Sequence, residues 1–401
     1  MRLFGFLTLT LLLAVLSFHS SCSSDAGPSD GSSLDVGLPD FGIVNPLLPP
    51  IPLSTKGRFI VDAKSNRVRL SGFNWNGAEG PDYAIGGLDT LERHAIAASL
   101  RNLGFNSIRL VWSNELIEKN PVVAAERLAA NPDLVGRTAL EVMDAVVAAL
   151  AEQGIMVIMN NHISDAIWCC ESTDDNILWY NNRFPERSWL ADWRFIAERY
   201  KGQPAVIGAD LRNEPRLLAT WGDGLGREND WAAAAERAGK AIQEVAPHWL
   251  IIVEGVAFAS DLTLAAKRPI RLPKQDMLVY SVHDYPWFHK FDNTAEDILK
   301  TMKYQWGHLI EDGGPNNVPI WLGEVATCNG CINDGSKDAM WFGVMSDYIR
   351  EKDLDWSWWR LTGDCGWGFL DPKTAGACSE DLMNAFRTMM KPTQGPGTGG
   401  E

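Results

Sequence analysis

Glu214, in Asp210-Leu-Arg-Asn-Glu-Pro215, and Glu324, in Gly323-Glu-Val325, each close a short apolar run. Two carboxylates on different strands suit cleavage of a glycosidic bond, where one protonates the leaving oxygen while the other attacks the anomeric carbon or activates water. Nearby residue types fit such a site. His283 and Tyr285, in Ser281-Val-His-Asp-Tyr285, lie two apart and project from one face of a strand, where Tyr285 can orient Glu324. Arg109, His162, Asn213 and Trp359 extend the group, with Asp210 and Glu254 read as supporting charges. An indole face matches the apolar face of a pyranose. Trp75, Trp112, Trp168, Trp179, Trp287, Trp359 and Trp367 fall at or just beyond strand ends, and Trp359 is the first choice of platform.

Any one of these residues is as readily a satisfied ion pair or core histidine inside a fold, because ionisable groups on apolar strands must be paired or functional. Six strands ending in polar or aromatic residues on one face are harder to explain that way. Strict alternation sets Gly208, Asp210, Arg212 and Glu214 on one face and Ile207, Ala209 and Leu211 on the other. Asn213 and Glu214 then share a site only through a bulge or a twist at the strand end.

The elements that must hold these residues read as eight strands: Arg67–Trp75, Ser107–Trp112, Met156–Ile163, Val206–Glu214, Leu250–Val256, Leu278–Tyr285, Pro319–Val325 and Leu354–Leu361. Helical patterns fill gaps between them. Leu140, Met143, Val147 and Leu150 recur at helical spacing before Gly154, and further patterns cover Leu91–Leu103, Arg187–Tyr200, Trp231–Val245, Ala295–Glu311 and Lys337–Lys352. Alternating strands and helices of this number predict an α/β fold, a (β/α)₈ TIM barrel forming a single catalytic domain over residues 56–391, with its site at the C-terminal ends of the strands. Gly57 to Leu70 reads as a hairpin, turning near Ser65-Asn66, that plugs the opposite end.

Residues 1–21, with an apolar run from Leu3 to Phe18, read as a secretion signal. An alternative makes Cys22 a lipid-modified N-terminus on the cell envelope. Residues 22–55 read as a Ser/Gly/Pro-rich linker with nothing to build a core, and 392–401 as a disordered tail. Six further cysteines, Cys169, Cys170, Cys328, Cys331, Cys365 and Cys378, suit disulfides in an exported chain, and sequence alone does not pair them. Zinc at Cys328-Asn-Gly-Cys331 would lack a second ligand pair. The net charge of −15, with no basic stripe, argues against nucleic acid. The expected protein is a monomer that needs no metal or cofactor.

Asp210-Leu-Arg-Asn-Glu-Pro215, Ser281-Val-His-Asp-Tyr285, Gly323-Glu-Val325, Gly72-Phe-Asn-Trp75 and Ile108-Arg-Leu110 together resemble glycoside hydrolase family 5, the cellulase-type barrels, over residues 57 to about 385. Asn161-His-Ile-Ser164, Trp168-Cys-Cys170 and Leu354-Asp-Trp-Ser-Trp-Trp359 look like the branch shared with cellulase-like proteins of plants and fungi. The resemblance implies a retaining enzyme with Glu214 as acid/base, its pKa raised by the neighbouring carboxylate, and Glu324 as nucleophile. It also implies that Asn213 bonds the sugar 2-hydroxyl, ringed by Arg109, His162, His283, Tyr285 and Trp359, and that the substrate is a β-1,4-glucan. A mannanase, an exo-β-glucosidase or a glycolipid-cleaving relative would use the same pair; a non-catalytic carbohydrate-binding barrel would keep only the platforms. Val325-Ala326 stands where the family usually has Phe-Gly, and a cysteine-bearing loop follows directly.

Overall fold

A computed structural model describes residues 45–170, 174–222, 228–311, 317–391 and 394–395. The expected signal, Cys22 and most of the linker and tail lie outside the described residues.

Eight parallel strands close into a barrel: β1 Ser71–Trp75, β2 Ser107–Ser113, β3 Met156–Ile163, β4 Val206–Asp210, β5 Leu250–Glu254, β6 Leu278–Asp284, β7 Ile320–Val325 and β8 Asp355–Trp358. Each strand pairs with its chain neighbours, and β8 returns to β1 through Trp356↔Ser71. Around the barrel lie α1 Arg93–Leu103, α2 Asn114–Lys119, α3 Ala139–Glu152, α4 Glu186–Tyr200, α5 Trp231–Gln243, α6 Ala295–Gln305, α7 Lys337–Lys352 and α8 Glu380–Met389. In α3, Thr138 and Glu141 form a capping box and Leu140, Met143, Val147 and Leu150 are all buried, the face their spacing foretold. The eight strand–helix units are not all filled. Among the described residues no α-helix connects β5 to β6; residues 255–277 cross through turns, and the short α2 is an addition after β2.

The barrel interior is divided along its axis. Met156, Ile158, Ile207, Leu250, Ile252, Val279 and Trp321 fill the end at which the strands begin, packed against Leu48, Leu53, Ile60 and Val68. Those last four come from a plug in which Ser54–Lys56 and Phe59–Val61 pair antiparallel and Val61 faces Arg67. The hairpin therefore exists, turning through Asp62 to Asn66, but Arg67–Val68 belongs to it and the first barrel strand begins only at Ser71. Two boundaries shift with it. Leu48 and Leu53 are buried in this core, so residues 45–55 are not a tether, and Gln394–Gly395, expected in the tail, pair with Arg67–Val68.

Bulges set which side chains face inward. Register shifts place an extra residue at His162 in β3, Ile207 in β4 and Gly323 in β7. The shift in β4 turns Ile207 into the barrel, against the alternation expected for it, while Ala209 and Leu211 face the helices as expected. At Gly323 a Cβ would meet Ser281 Oγ at 2.4 Å and His283 Nε2 at 3.2 Å, so this close approach requires glycine.

Candidate active site

The strand ends converge on Arg109. Its guanidinium, fully buried on β2, donates to Asp210 Oδ2 at 2.7 Å, Asn74 Oδ1 at 2.9 Å, Asn213 Oδ1 at 2.8 Å and Glu254 Oε1 at 2.7 Å, and also to Glu324 Oε1. Burial alone would lower the Arg109 pKa, but Asp210, Glu324 and Glu254 around it raise it above the ordinary arginine value. One cation thus touches three carboxylates, with Glu214 as a fourth nearby.

The chain leaves β4 at Asp210 and turns sharply at Glu214, whose φ of 49° is a left-handed conformation rare for a residue with a Cβ. Its backbone N–H donates to Glu254 Oε2 at 2.7 Å, so the buried carboxylate on β5 pins that turn. This is the strand-end twist needed for Asn213 and Glu214 to enter one site. Arg212, expected on the same face, instead turns outward to Asn161 Oδ1 at 3.0 Å and Ser164 Oγ at 3.1 Å.

Glu214 and Glu324 are held differently. A carboxylate oxygen of each and a ring nitrogen of His283 all lie within 4.8 Å of one another. Glu324 receives two hydrogen bonds, from Arg109 and from the Tyr285 hydroxyl at 2.6 Å. Glu214 Oε1 has His283 Nδ1 at 3.0 Å, and no guanidinium in contact with its side chain among the described residues. Burial pushes Glu214 up to about 8, with the Glu324 charge second, so the neighbouring carboxylate is a contributor rather than the main cause. Burial also raises Glu324, and Arg109 and Tyr285 pull it back. His283 is pushed well below its ordinary value by burial and then by Arg109, and stays neutral. Tyr285 is held well above its ordinary value by burial, then by Glu324 and Glu214, and keeps its proton to donate.

The underlying charge is carried by Asp210 and Glu254, both fully buried and both raised first by burial. Asp210 Oδ2 accepts from Arg109 and from Asn160 Nδ2 at 3.1 Å, while Asp210 Oδ1 meets no hydrogen-bond donor among the described residues.

Above this base lies a cleft of about 450 Å³ lined by His162, Cys169, Cys170, Asn213, Glu214, Phe258, Tyr285, Trp287, Phe288, Glu324 and Trp359. Trp359 stacks on His162, centroids 5.5 Å apart and planes within 11°, and His162 Nδ1 lies 2.9 Å from Asn160 Oδ1. Burial and then Arg109 depress the His162 pKa. Every residue expected in the site by sequence is therefore brought together here, with Arg109 beneath the cleft and the others in or beside it. The tryptophans divide. Trp75, Trp112 and Trp179 are core residues, whereas Trp287 and Trp367 are half-exposed with rings 6.3 Å apart and Trp168 is exposed. Sequence reasoning missed Asn74, Phe258 and the cysteine pair as site residues, and named Trp287, which lines the cleft, only among the strand-end tryptophans. Asn74 sat inside a quoted motif, and its amide also donates to Gly323 O at 2.9 Å. Phe258 sits among three consecutive left-handed residues, Ala257 to Ala259, which no residue type announces. The six cysteines pair locally as Cys169–Cys170, Cys328–Cys331 and Cys365–Cys378.

A family model described as Cellulase (glycosyl hydrolase family 5) matches residues 61–364. An endoglucanase of Paenibacillus polymyxa is 34% identical over 342 residues, 80% of this chain and 83% of that protein. The major extracellular endoglucanase of Xanthomonas campestris pv. campestris is 31% identical over 361 residues, 83% of this chain and 70% of that protein. Among solved structures, an endocellulase from Pyrococcus horikoshii in complex with cellotetraose superposes with a TM-score of 0.75 at 26% identity, covering 86% of this chain and 99% of that one. The catalytic domain of the Xanthomonas enzyme gives 0.74 at 29%, covering 84% and 99%. The chain is a (β/α)₈-barrel glycosidase that hydrolyses O-glycosyl bonds, and it belongs to glycoside hydrolase family 5.

Proposed function

We propose that this enzyme is an endo-acting, retaining β-1,4-glucanase in which Glu214 is the acid/base and Glu324 the nucleophile. The observation that carries the roles is the unequal holding of a close carboxylate pair. A carboxylate oxygen of each within 4.8 Å of the other is the close approach that the ~5–5.5 Å separation of a retaining pair calls for. The carboxylate that accepts from Arg109 and Tyr285 is the one whose negative charge is supported for attack; Glu214, pushed up to about 8, keeps its proton near neutral pH.

In the first step Glu324 bonds to the anomeric carbon as the Glu214 proton passes to the departing oxygen, giving a glycosyl ester on Glu324. In the second, Glu214 takes a proton from water as the water oxygen displaces Glu324. His283, 3.0 Å from Glu214 and 3.5 Å from Glu324, accommodates the change of charge between them. Asn213 bonds the sugar 2-hydroxyl, and Trp359 supplies the stacking face beneath the ring.

A glucan substrate and endo action are supported by the endoglucanase names of the relatives and by the cleft's open, tryptophan-lined walls. Work outside the cytoplasm is supported by three disulfides and by the extracellular designation of the Xanthomonas relative. Attachment through Cys22 is a finer form of that reading, checked by mass spectrometry of the mature N-terminus. The function is tested by incubating the enzyme and Glu324→Gln with soluble β-glucans, mannans and aryl glycosides and measuring reducing ends. β-Glucan is cut fastest by the wild type and the variant is inert. Silence of the wild type would favour a binding barrel, and faster cleavage of mannan would replace the substrate.

A further inference from the structure

We propose that the Cys169–Cys170 disulfide is a positioning element of the reaction, holding the Asn213 amide with its N–H groups turned into the cleft. This rests on the glucanase reading and adds a part to its machinery.

Asn213 is buried, and its backbone N–H continues the barrel ladder to Asn161 O at 2.9 Å. Its side chain still has two ways to face. Arg109 decides between them, because a guanidinium only donates. The amide oxygen must meet Arg109 Nη2, at 2.8 Å, and the NH₂ group then points the other way, to Cys170 Sγ at 3.4 Å and Cys169 Sγ at 3.6 Å.

The sulfur pair also stands at the reacting centre, with one Sγ of each cysteine and a Glu214 carboxylate oxygen all within 4.8 Å of one another. Both cysteines line the cleft beside Glu214 and Asn213. A disulfide suits this place chemically. It offers no proton, so it can only accept from the amide, and it accepts weakly. The contact therefore keeps the NH₂ group aimed along the cleft wall without competing against a sugar hydroxyl. Two separate thiols would rotate independently and could donate as well as accept, removing that constraint. A bond between adjacent residues ties no distant segments together, so this pair contributes little as a staple.

The test is a double-mutant cycle on cellotetraose with kcat and KM measured separately: Cys169→Ala/Cys170→Ala, Asn213→Ala, and the two combined. Removing the pair lowers kcat roughly two- to tenfold with KM changed less than twofold, the size of one neutral hydrogen bond. In the Asn213→Ala background the same removal has less than a twofold effect. An equal loss in both backgrounds, or no loss in the wild type, would overturn the proposal. Should the alanine pair fold poorly, the folded wild type is reduced with a water-soluble phosphine, whose phosphorus takes the oxygen of one water while the two hydrogens end on the thiols. Alkylation and peptide mass spectrometry identify the opened pair, and the same split in kcat between the wild-type and Asn213→Ala proteins is expected. No cleavage of any β-glucan by the untreated enzyme would overturn the glucanase reading and the proposal with it.

Discussion

Two clusters of buried charge occupy opposite ends of one barrel and are balanced differently. At the plugged end Arg67 meets Asp355 at 2.8 Å and Arg69 meets Asp353 at 2.8 Å, with Lys391 a third cation at 3.3 Å from Asp353, so each carboxylate has at least one cation of its own. Asp355 also accepts the Leu70 N–H at 2.8 Å, which ties the hairpin to β8. At the mouth a single Arg109 serves Asp210, Glu254 and Glu324, with Glu214 beyond its direct reach. The balanced cluster gives each buried carboxylate a partner of opposite charge and can be sealed. In the unbalanced one burial, and then the neighbouring carboxylate, pushes Glu214 up to about 8, and a carboxyl that keeps its proton near neutral pH is what acid catalysis needs. Burial with too few cations, rather than burial with matched ones, separates the catalytic end from the structural end.

The widest test of that contrast is Glu324→Gln, which lowers kcat/KM on the order of 10⁴-fold or more while circular dichroism shows the fold unchanged. Glu214→Gln follows, costing ~10²–10⁴-fold on natural glycosides and far less on aryl glycosides whose leaving group needs no proton. The same variant should be more heat-stable than the wild type in alkaline buffer. The folded pKa of Glu214 lies above its unfolded value, so its contribution is fully present below the ordinary glutamate range and is lost as pH rises through about 8. The melting-temperature advantage of Gln therefore grows across that window, and an advantage confined to acid pH would contradict the assignment. At the other end, Arg67→Leu leaves Asp355 buried without its cation and destabilises by ~3–5 kcal/mol in denaturant titration, with kcat per folded molecule unchanged. Smallest is Tyr285→Phe, roughly tenfold in kcat/KM. Its hydroxyl stabilises ionised Glu324, so its loss raises the Glu324 pKa and moves the acid limb of the pH profile to higher pH.

Much of this site is legible in the sequence because the barrel has a strong grammar. Strands of five to eight buried residues, such as Leu250–Glu254 and Met156–Ile163, announce themselves by apolar runs, and the fold decides which end is functional. What stays hidden depends on departures from regular periodicity. Ile207 faces inward and Arg212 outward because a bulge and a strand-end turn intervene, and neither has a signature in residue type. Trp75, Trp112 and Trp179 stand at strand ends like Trp359 but point into helix packing, a distinction set by tertiary contacts. Glu254 reads in the sequence as a supporting charge. Only the fold shows it holding the backbone of Glu214. The plug residues Leu48 and Leu53 lie in a Pro-rich stretch whose composition reads as linker, and their burial follows from a barrel end that must be closed.

The stereochemistry of the first product bears most directly on the central claim. Proton NMR of cellotetraose hydrolysis, followed from the first turnovers in deuterated buffer, reports which anomer is released before mutarotation mixes them. A close pair with Glu324 as nucleophile predicts that the β-anomer appears first and the α-anomer grows in later. Initial release of the α-anomer would mean single displacement by water and would contradict the roles given to Glu214 and Glu324.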